Sequence, residues 1–469
     1  MLTAFRLIGI LTTIFCVANA NLFVAPFWSL PFFFTLYMYL FISKGDIKGP
    51  GIITLHVSMI GRYILVPASY YITGQMSQMA KDYSFMSEAI WLMLYEQFCV
   101  FLIMFYTRHY GEKYKAKKNR SLYCQLEYSN ILLLFAVILW LVIAASYKSL
   151  GNNFSILLSG AVYKYRENDV VSDSGSTFIS MLWQTLCVWL FVIIATKEQR
   201  SYLKDGNIGH ALSTAFYALL LIVITFIDQS GLSRWYTIIT ACSCVAFLAH
   251  LFPQNRKSIV SIIAIPSVAI VLLATAVKNG GYLQEDNDFQ SSTSSVFNPT
   301  SLDVYFSGPT NINNSIGMLE SLEADITNFP NDILNNFPVV NHYVSKSDAT
   351  VYKYNLYLGR LYERESGDQI IPLVGQGLAY FGLILSPLLS ILSILLIRYF
   401  DLKYKKCNDY FAYLFAFISI WFGVEAMALN MTINISWFYW RIIPFAISFY
   451  FTNRLAKKQQ KHAQNLSYI

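Results

Sequence analysis

The chain has 469 residues, of which 55% are hydrophobic, 16% are aromatic and only 13% are charged. Soluble globular domains carry about 25% charged residues, so this composition excludes an ordinary soluble protein and is typical of an integral membrane protein. The formal net charge of +7 arises from short basic blocks between apolar runs. That distribution indicates membrane topology, and we expect no nucleic-acid partner.

A helix that crosses a bilayer needs about 20 mainly apolar residues. Twelve runs meet this requirement and predict an all-α polytopic membrane protein with about 12 transmembrane helices. The runs are 2–19, 23–42, 51–73, 86–107, 128–147, 178–196, 209–227, 235–252, 259–277, 374–398, 410–428 and 437–453. We therefore divide the chain into transmembrane helices 1–9 over residues 1–277, a polar interval over 278–372, and transmembrane helices 10–12 with a basic tail over 373–469.

The basic residues predict the orientation of these runs. Each even-numbered run is followed by a connector rich in Lys and Arg, such as 108–120 and 403–406, whereas the odd-numbered connectors are poor in both. Because cytoplasmic connectors carry the excess of cations, both termini are predicted to lie in the cytoplasm. The two large connectors, 148–177 and 278–372, are then outer loops.

The start of the chain imitates a secretory signal peptide. Arg6, an apolar stretch and Ala18-Asn-Ala20 have the pattern of such a segment and its cleavage site. The next apolar run begins at Leu22, however, and leaves no exported segment between the two. We therefore expect an uncleaved first helix.

Ionisable side chains inside apolar runs are costly, and they indicate either function or pairing. Arg62 lies 11 residues before the outer end of the third run, and Glu96 lies 10 residues after the outer start of the fourth. In an antiparallel helix hairpin the two fall at the same depth, so they can pair. A bundle-internal ion pair and a substrate contact both stay open for them. Glu425 and Arg441, in the last two runs, pose the same alternatives.

Four arginines lie on the predicted outer face, where connectors are usually poor in Lys and Arg. Arg166 lies in the first large connector, Arg234 ends a very short outer turn, and Arg360 and Arg364 lie near the end of the polar interval. A guanidinium binds phosphate through two parallel hydrogen bonds and keeps its charge at working pH. The four therefore predict a site for a lipid-linked phosphate or diphosphate. The alternative is that each side chain only extends to the lipid headgroups.

The polar interval has a helical pattern of its own. Apolar residues recur at three- and four-residue spacing from Ile312 to Phe329, which predicts one amphipathic helix that opens at Pro309 and ends at Pro330. We expect this helix to pack as a cap on the bundle or at the lipid interface. The interval also holds tyrosines suited to stacking on sugar rings or to interfacial anchoring: Tyr343, Tyr352, Tyr354, Tyr357 and Tyr362.

Several catalytic patterns are absent from the sequence. It contains no Gly-rich phosphate loop, no His/Glu zinc pattern and no serine-nucleophile motif, so we expect neither a metal nor a cofactor. No cytoplasmic connector is long enough for an ATPase or a nucleotide-sugar-binding domain. An activated substrate would therefore arrive through the lipid or from outside.

The predicted spans, termini and large outer connectors resemble the bacterial polysaccharide repeat-unit polymerases, the Wzy-type (O-antigen or capsule) integral membrane glycosyltransferases of GT-C-like architecture. That family often carries an Arg-x10-Gly element at the end of its large loops, and Arg364 with Gly375 is similar to it. The copy in the first outer connector is imperfect, because Arg166 has Thr177 at that spacing and Gly175 two residues early.

Two shorter segments add to this resemblance. Gly231-Leu-Ser-Arg234 resembles a short outer turn of these enzymes, and Gly375-Gln-Gly377 opens a segment similar to the Gly-rich helix after their large loop. The resemblance to this family in spans, termini and outer loops covers nearly the whole chain.

The resemblance implies that a glycan is transferred from undecaprenyl diphosphate to the terminal sugar of another lipid-linked repeat unit. The reaction would take place at the outer face of the bacterial inner (plasma) membrane, and a chain-length regulator protein is a further expected partner. Under this hypothesis the leaving diphosphate is stabilised by Arg166, Arg234 and Arg364, with Arg360 as a substitute for Arg364. The expected substrate contacts are Arg360, Tyr343, Tyr357, Gly375 and Gly377.

A general base for the acceptor hydroxyl is also required by this reaction. His342 is the only histidine in the polar interval, and we therefore take it as the candidate. Asp348 and Glu363 are alternatives.

Two other functions stay open. An O-antigen ligase-type transferase would use the same lipid donor and would depend on His342. A polysaccharide flippase or secondary transporter also has twelve spans, but it should show broken helices in two similar halves and short outer loops. The long polar interval argues against transport.

Overall fold

The computed structural model describes residues 1–43, 45–108, 137–142, 174–228, 234–280, 298–337, 340, 344–362, 370–407 and 410–466. Within these ranges all regular secondary structure is helical, so the predicted all-α class is confirmed for the part described. The chain forms two compact units. The first comprises Met1–Lys115, Ser294–Leu402 and Ser419–Tyr439, and the second Ala116–Thr293, Lys403–Ile418 and Trp440–Ile469.

Four helices open the first unit: α1 (Leu2–Ala18), α2 (Ser29–Leu40), α3 (Pro50–Thr73) and α4 (Met86–Thr107). Their buried side chains, among them Phe34, Met59, Ile90 and Phe101, form one apolar core. α3 contains a π-helical turn at Gly61–Leu65. Such a turn shifts the side chains by one position relative to a regular helix and is frequent at functional sites.

The beginning of α3 is fixed by its local sequence and by a distant carboxylate. Gly49 adopts a φ of 125°, which favours glycine, and Pro50 occupies the first helical position, where its missing N–H costs nothing. The carboxylate of Asp401 accepts hydrogen bonds from the amides of Gly51 (3.0 Å) and Ile52 (3.1 Å). Asp401 thereby caps α3 in place of a local side chain.

Four helices follow in the second unit: α5 (Ser174–Asp205), α6 (Gly209–Asp228), α7 (Arg234–Leu251) and α8 (Arg256–Gly280). Each packs against its neighbour in the chain, which is the arrangement expected for helices joined by short connectors.

The described part of the polar interval folds into α9 (Pro299–Phe306), α10 (Pro309–Ser321), α11 (Asn328–Leu334) and α12 (Thr350–Tyr362). α10 packs on α4 and buries Ile312 in the core of the first unit, so the expected cap on the bundle is present.

The predicted end of this helix at Pro330 is wrong. α10 stops at Ser321 because Leu322 is extended, with φ −137° and ψ 100°. The Asp325 side chain then accepts the Thr327 amide in a local turn at 2.9 Å. Asp side chains favour such turns over helix. Pro330 lies in the first turns of α11, where proline is tolerated.

The tenth apolar run, which the sequence predicts as one span, consists of two helices with a sharp bend between them. It forms α13 (Leu373–Leu385) and α14 (Leu388–Lys406), whose axes meet at 104°. Gly382 has a φ of 70° at the bend, a value that favours glycine. Leu383, Ile384 and Leu385 at the tip of the bend are more than half exposed.

The chain ends with α15 (Phe411–Glu425), α16 (Met431–Trp437), a π-helical turn at Phe438–Ile442 and α17 (Ile443–Leu466). In the second unit Trp189 of α5 donates to the Thr452 hydroxyl of α17 at 2.7 Å. His250 of α7 contacts the Cys407 carbonyl through Nε2 at 3.1 Å, a structural helix contact.

Four helices in the described part are long and apolar enough to cross a bilayer, and a fifth crossing results if α13 and α14 count as one. Helices cover eleven of the twelve predicted apolar runs, and of the remaining run, 128–147, only 137–142 is described. The membrane character is thus supported by several helices that are long and apolar enough to span a bilayer. The twelve crossings, their orientation and the division at 277 and 372 stay predictions.

Candidate functional site

Three of the four predicted catalytic residues lie outside the described part of the chain, namely Arg166, Arg364 and His342. The predicted substrate contact Tyr343 lies outside it as well. Of Arg234 only the backbone is described, as the first residue of α7. Their roles stay predictions, whereas the helices that flank the Arg364 segment belong to the described structure.

α12 leads directly into the segment that contains Arg364. Arg360 lies exposed in its last turn. On its inner side Tyr354 is fully buried, and its hydroxyl donates to the Asn311 carbonyl of α10 at 3.3 Å. Tyr357, 8% exposed, packs with its hydroxyl so close to Gly317 that a Cβ there would collide with it. α12 is therefore seated on α10 with the Arg360 end facing solvent.

Gly375 and Gly377 are buried at close helix contacts. A Cβ on Gly375 would lie 2.5 Å from the Ser315 hydroxyl of α10, and a Cβ on Gly377 would collide with the Ser386 carbonyl across the bend. Only glycine permits these approaches without a shift of the neighbours. The two glycines thus seat α13 on α10 and close the bend. The substrate contact that the sequence predicts for them stays untested.

A buried chain of hydrogen bonds runs from α12 to α16 through Asp332 of α11. The Oδ2 atom of Asp332 accepts the Thr350 amide of α12 at 3.1 Å and the Tyr380 hydroxyl of α13. The Gln376 amide group donates to the Tyr380 hydroxyl at 2.7 Å, and its oxygen accepts the Met431 amide at 2.8 Å. The Asp332, Gln376 and Tyr380 side chains are at most 4% exposed.

Asparagines hold α10 against the connector between α3 and α4. Asn313 Nδ2 donates to the Asp82 carbonyl at 2.8 Å, and Asn314 Nδ2 donates to the Met79 carbonyl at 2.7 Å. Asn311 Nδ2 donates to the Asp303 carbonyl of α9 at 3.0 Å. α10 therefore buries polar as well as apolar sides, which an amphipathic helix at a lipid surface would not do.

The ion pair predicted for α3 and α4 is present. Arg62 Nη2 lies 2.9 Å from Glu96 Oε2, and both side chains are at most 2% exposed. Glu96 also accepts the Tyr63 hydroxyl at 3.4 Å and the Ser390 hydroxyl of α14 at 2.5 Å. Arg62 Nη1 donates to the Met427 carbonyl. Three helices and the turn after α15 therefore meet at one buried charge pair.

The small space beside this pair helps to decide its role. A cavity of about 10 Å³, lined by Ser58, Arg62, Phe306 and Met427 among others, adjoins it. That is the room needed by one water molecule. Because Arg62 and Glu96 are paired with protein groups, the described geometry is that of a bundle-internal ion pair, and the substrate contact stays a prediction.

Asp303 is a second buried carboxyl that the sequence did not single out. It is fully buried in α9, and neither of its oxygens has a hydrogen bond of ordinary geometry. Burial raises the pKa of its carboxyl from 3.8 to about 6, although the hydroxyls of Thr310, Tyr70 and Ser77 lower it in part. In the polar interval this group changes its charge near neutral pH.

Glu425 and Arg441 lie in different compact units. Glu425 is 2% exposed at the end of α15, and its Oε2 atom has no hydrogen-bond partner. Arg441 donates to the Trp440 carbonyl at 3.3 Å, and its guanidinium lies 5.2 Å from the centre of the Tyr236 ring. Whether either contributes to a site stays open.

The described residues around this site form a packed helical frame and present few reactive groups. No cluster of three or more His, Cys, Asp or Glu suited to a metal ion occurs among them. Asp332 and Asp303 were missed because no spacing or motif separates them from the exposed acids of the same interval. Their burial follows only from the packing of α9–α13.

No family model matches the chain, and neither the curated proteins nor the solved structures gave a match.

Proposed function

We propose that this chain is an integral membrane glycosyltransferase that polymerises lipid-linked oligosaccharide repeat units. It crosses the inner membrane of a bacterium twelve times, with both termini in the cytoplasm and the polar interval on the outer face. Donor and acceptor are glycans on undecaprenyl diphosphate. The product is a longer chain on one lipid, and undecaprenyl diphosphate is released from the other.

The observation that carries this proposal is the anchoring of the two flanks of the Arg364-to-Gly375 element. α12 precedes the element with Arg360 exposed in its last turn, and α13 follows it with Gly375 seated against Ser315. Both helices rest on α10, which is bound to α4. The segment that contains Arg364 is thereby joined at both ends to helices that pack on α10. Electrostatic stabilisation of a leaving group requires cations that are held in place, and this anchoring supports such a role.

The proposed reaction is a displacement at the anomeric carbon of the donor. The acceptor hydroxyl attacks this carbon, and the bond between it and the diphosphate oxygen breaks, so that the electron pair leaves with the diphosphate. His342 takes the proton of the hydroxyl. Arg166, Arg234 and Arg364 stabilise the negative charge on the leaving diphosphate, each by about 3 kcal/mol in the transition state.

Deletion of the gene in its source organism tests the proposal against its alternatives. Loss of a polymerase leaves surface lipids with single repeat units, which mass spectrometry of extracted glycolipids detects. Loss of a ligase-type transferase instead accumulates long lipid-linked chains. Long chains on the lipid carrier or an unchanged glycolipid profile would contradict the polymerase.

One observation favours transport as a second candidate, namely the 104° bend between α13 and α14. Transporters form their binding sites from broken helices near the middle of the bilayer. A flippase would be recognised by repeat units that stay on the cytoplasmic leaflet after gene deletion. The folding of the polar interval into α9–α12 has no part in that mechanism.

A further inference from the structure

The bend between α13 and α14 carries an exposed apolar surface at residues 383–385, which we call the bend tip. Its side chains, Leu383, Ile384 and Leu385, are 64%, 78% and 52% exposed. The exposed apolar surface continues along α14 through Leu392, Leu395 and Leu396. A contiguous apolar surface of this kind is unfavourable in water and marks a contact with protein or with a membrane.

Two hydrogen bonds fix the level of the bend along α4. The Tyr95 hydroxyl donates to the Ile384 carbonyl at 2.8 Å, and Glu96 accepts the Ser390 hydroxyl of α14 at 2.5 Å. Tyr95 and Glu96 occupy the centre of α4, which has 22 residues. A helix of that number of residues is roughly 33 Å long, close to the hydrocarbon thickness of about 30 Å. When α4 crosses the bilayer, the bend therefore lies near the middle of the hydrocarbon.

α3 gives the same level independently of α4. Arg62, which pairs with Glu96, lies near the middle of the 24 residues of α3. At the other end of α14, Asp401 bonds to the Gly51 amide in the first turn of α3. The part of α14 between Asp401 and Ser390 thus lies beside only the first half of α3. The bend follows where α14 reaches the middle of this second candidate span.

The backbone of the bend is suited to a surrounding without water. Inside hydrocarbon, irregular backbone is tolerated only when the protein itself pairs its polar groups. The Ile384 carbonyl has the Tyr95 hydroxyl, and the Leu383 carbonyl accepts the Ser386 hydroxyl at 2.8 Å. Pro387, the second residue of the break, has no N–H that needs an acceptor. Side chains of the protein thereby replace water at the open carbonyls of the bend.

We propose that the bend tip is a lipid-contact surface at the middle of the bilayer, where it packs on acyl chains and where Tyr95 replaces water for the Ile384 carbonyl. The occupant is the hydrocarbon of the bilayer, because the surface is aliphatic, lies at the level of the centres of α3 and α4, and continues into the exposed leucines of α14. The inference goes beyond the proposed function, since it depends on the membrane position of these helices and not on glycan transfer.

Site-directed spin labelling tests the position of the bend tip. Ile384→Cys is purified as the full chain, labelled with a nitroxide and reconstituted in liposomes of phosphatidylethanolamine and phosphatidylglycerol. Trp91→Cys is the matched control on the same face of α4, one turn before Tyr95, and replaces a side chain that is 64% exposed. Glu323→Cys, in the exposed turn after α10, is the aqueous control. The labelled wild type supplies the background from the native cysteines.

Power-saturation electron paramagnetic resonance measures how often the label collides with oxygen, which concentrates in hydrocarbon, and with a water-soluble nickel chelate. The oxygen-to-nickel collision ratio should be about tenfold higher for Ile384→Cys than for Glu323→Cys, because hydrocarbon excludes the chelate. It should also exceed the ratio for Trp91→Cys, since four residues of α4 place that position roughly 6 Å nearer to the membrane surface.

Three results would overturn the inference. A ratio for Ile384→Cys as low as that of Glu323→Cys would place the bend tip in water. Few collisions with either reagent would show that another segment of the chain covers it. Spin–spin broadening between labels would identify a second copy of the chain as its occupant.

Tyr95→Phe in the labelled Ile384→Cys protein tests the role of the hydroxyl. The Ile384 carbonyl then has no donor in hydrocarbon, so the bend moves toward water or admits it, and the collision ratio should fall about twofold or more. Tyr106→Phe, which removes a hydroxyl from a 70% exposed side chain of the same helix, should leave the ratio unchanged. An unchanged ratio in Tyr95→Phe would refute the proposed role of Tyr95.

Discussion

Asp303 and Asp332 are two buried carboxyl groups of the polar interval with different hydrogen-bond partners. The Oδ2 atom of Asp332 accepts an amide and a phenolic hydroxyl, whereas its Oδ1 atom has no hydrogen-bond partner. Both Asp303 oxygens lack a bond of ordinary geometry, and burial raises the pKa of this group to about 6. The ionised form of Asp303 is therefore disfavoured in the folded protein.

The raised pKa of Asp303 predicts a pH-dependent stability. The folded pKa of about 6 exceeds the ordinary value of 3.8, so the folded protein holds the proton of Asp303 more tightly than the unfolded chain does. The folding stability that comes from this difference is fully present below pH 4 and is lost as the pH rises through 6. The shift corresponds to a loss of about 3 kcal/mol. Asp303→Asn should remove this dependence and raise the thermal unfolding midpoint in detergent at pH 7, but not at pH 4.

The matched control for this experiment is Glu320→Gln, which removes an exposed carboxyl from α10. It should retain the fall in stability between pH 4 and pH 6. If Asp303→Asn also retained that fall, the charge of Asp303 would not be its cause.

The ion pair between Arg62 and Glu96 leads to a second prediction at this scale. Arg62→Met leaves Glu96 buried without its cation and should lower the stability by about 3–5 kcal/mol. The double variant with Glu96→Gln should be more stable than the sum of the single losses, since no uncompensated charge remains. Thermal unfolding in detergent of the wild type, the two single variants and the double variant measures these stability losses. Strictly additive losses would show that Arg62 and Glu96 are not coupled.

At the residue scale the sequence allowed the ion pair to be predicted and left the buried acids unrecognised. Arg62 and Glu96 are charged in apolar runs, and their equal depth follows from counting residues along two antiparallel helices. Asp303 and Asp332 lie among other acids in a polar interval, where charge is ordinary. Their burial depends on how α9–α13 pack together, which no local pattern contains.

Among the elements, the bend between α13 and α14 deviates most from the sequence-based expectation. The run 374–398 is mainly apolar and predicts one span, yet Gly382 departs from helical geometry and α13 ends at Leu385. Two contacts with α4 hold the bend: the Tyr95 hydroxyl donates to the Ile384 carbonyl at 2.8 Å, and Glu96 accepts the Ser390 hydroxyl. Periodicity cannot predict such tertiary contacts.

Gly377 offers a test of this bend. Gly377→Ala places a Cβ against the Ser386 carbonyl and should destabilise the protein by about 1–3 kcal/mol. Gly74→Ala is the control, because Gly74 has a φ of 66° but no atoms lie near the position of an added Cβ. This substitution should therefore destabilise the protein only through its backbone conformation, by about 1 kcal/mol. Thermal unfolding of both variants in detergent gives the comparison. Equal stability of the two variants would show that the Ser386 carbonyl can move away from position 377 at no cost.

For the whole molecule, the orientation of the polar interval is the first quantity to determine. Glu323 is exposed in the turn after α10, and Lys204 is exposed at the end of α5. A membrane-impermeant maleimide should label Glu323→Cys on intact cells and should label Lys204→Cys only after permeabilisation. The wild type reports any background from the native cysteines. The reverse labelling pattern would place the interval in the cytoplasm and exclude the proposed reaction at the outer face.

The most direct test of the central claim is polymer formation by the purified chain. Wild type and the Arg166→Ala, Arg234→Ala and Arg364→Ala variants are reconstituted in liposomes with lipid-linked repeat units, and glycan chain lengths are resolved by gel electrophoresis. The account predicts a ladder of long chains for the wild type and a rate at least 100-fold lower for each Ala variant, which corresponds to about 3 kcal/mol of lost stabilisation. Each Arg→Lys variant should recover part of that rate. A wild-type ladder from all three Ala variants at equal protein amounts would contradict it.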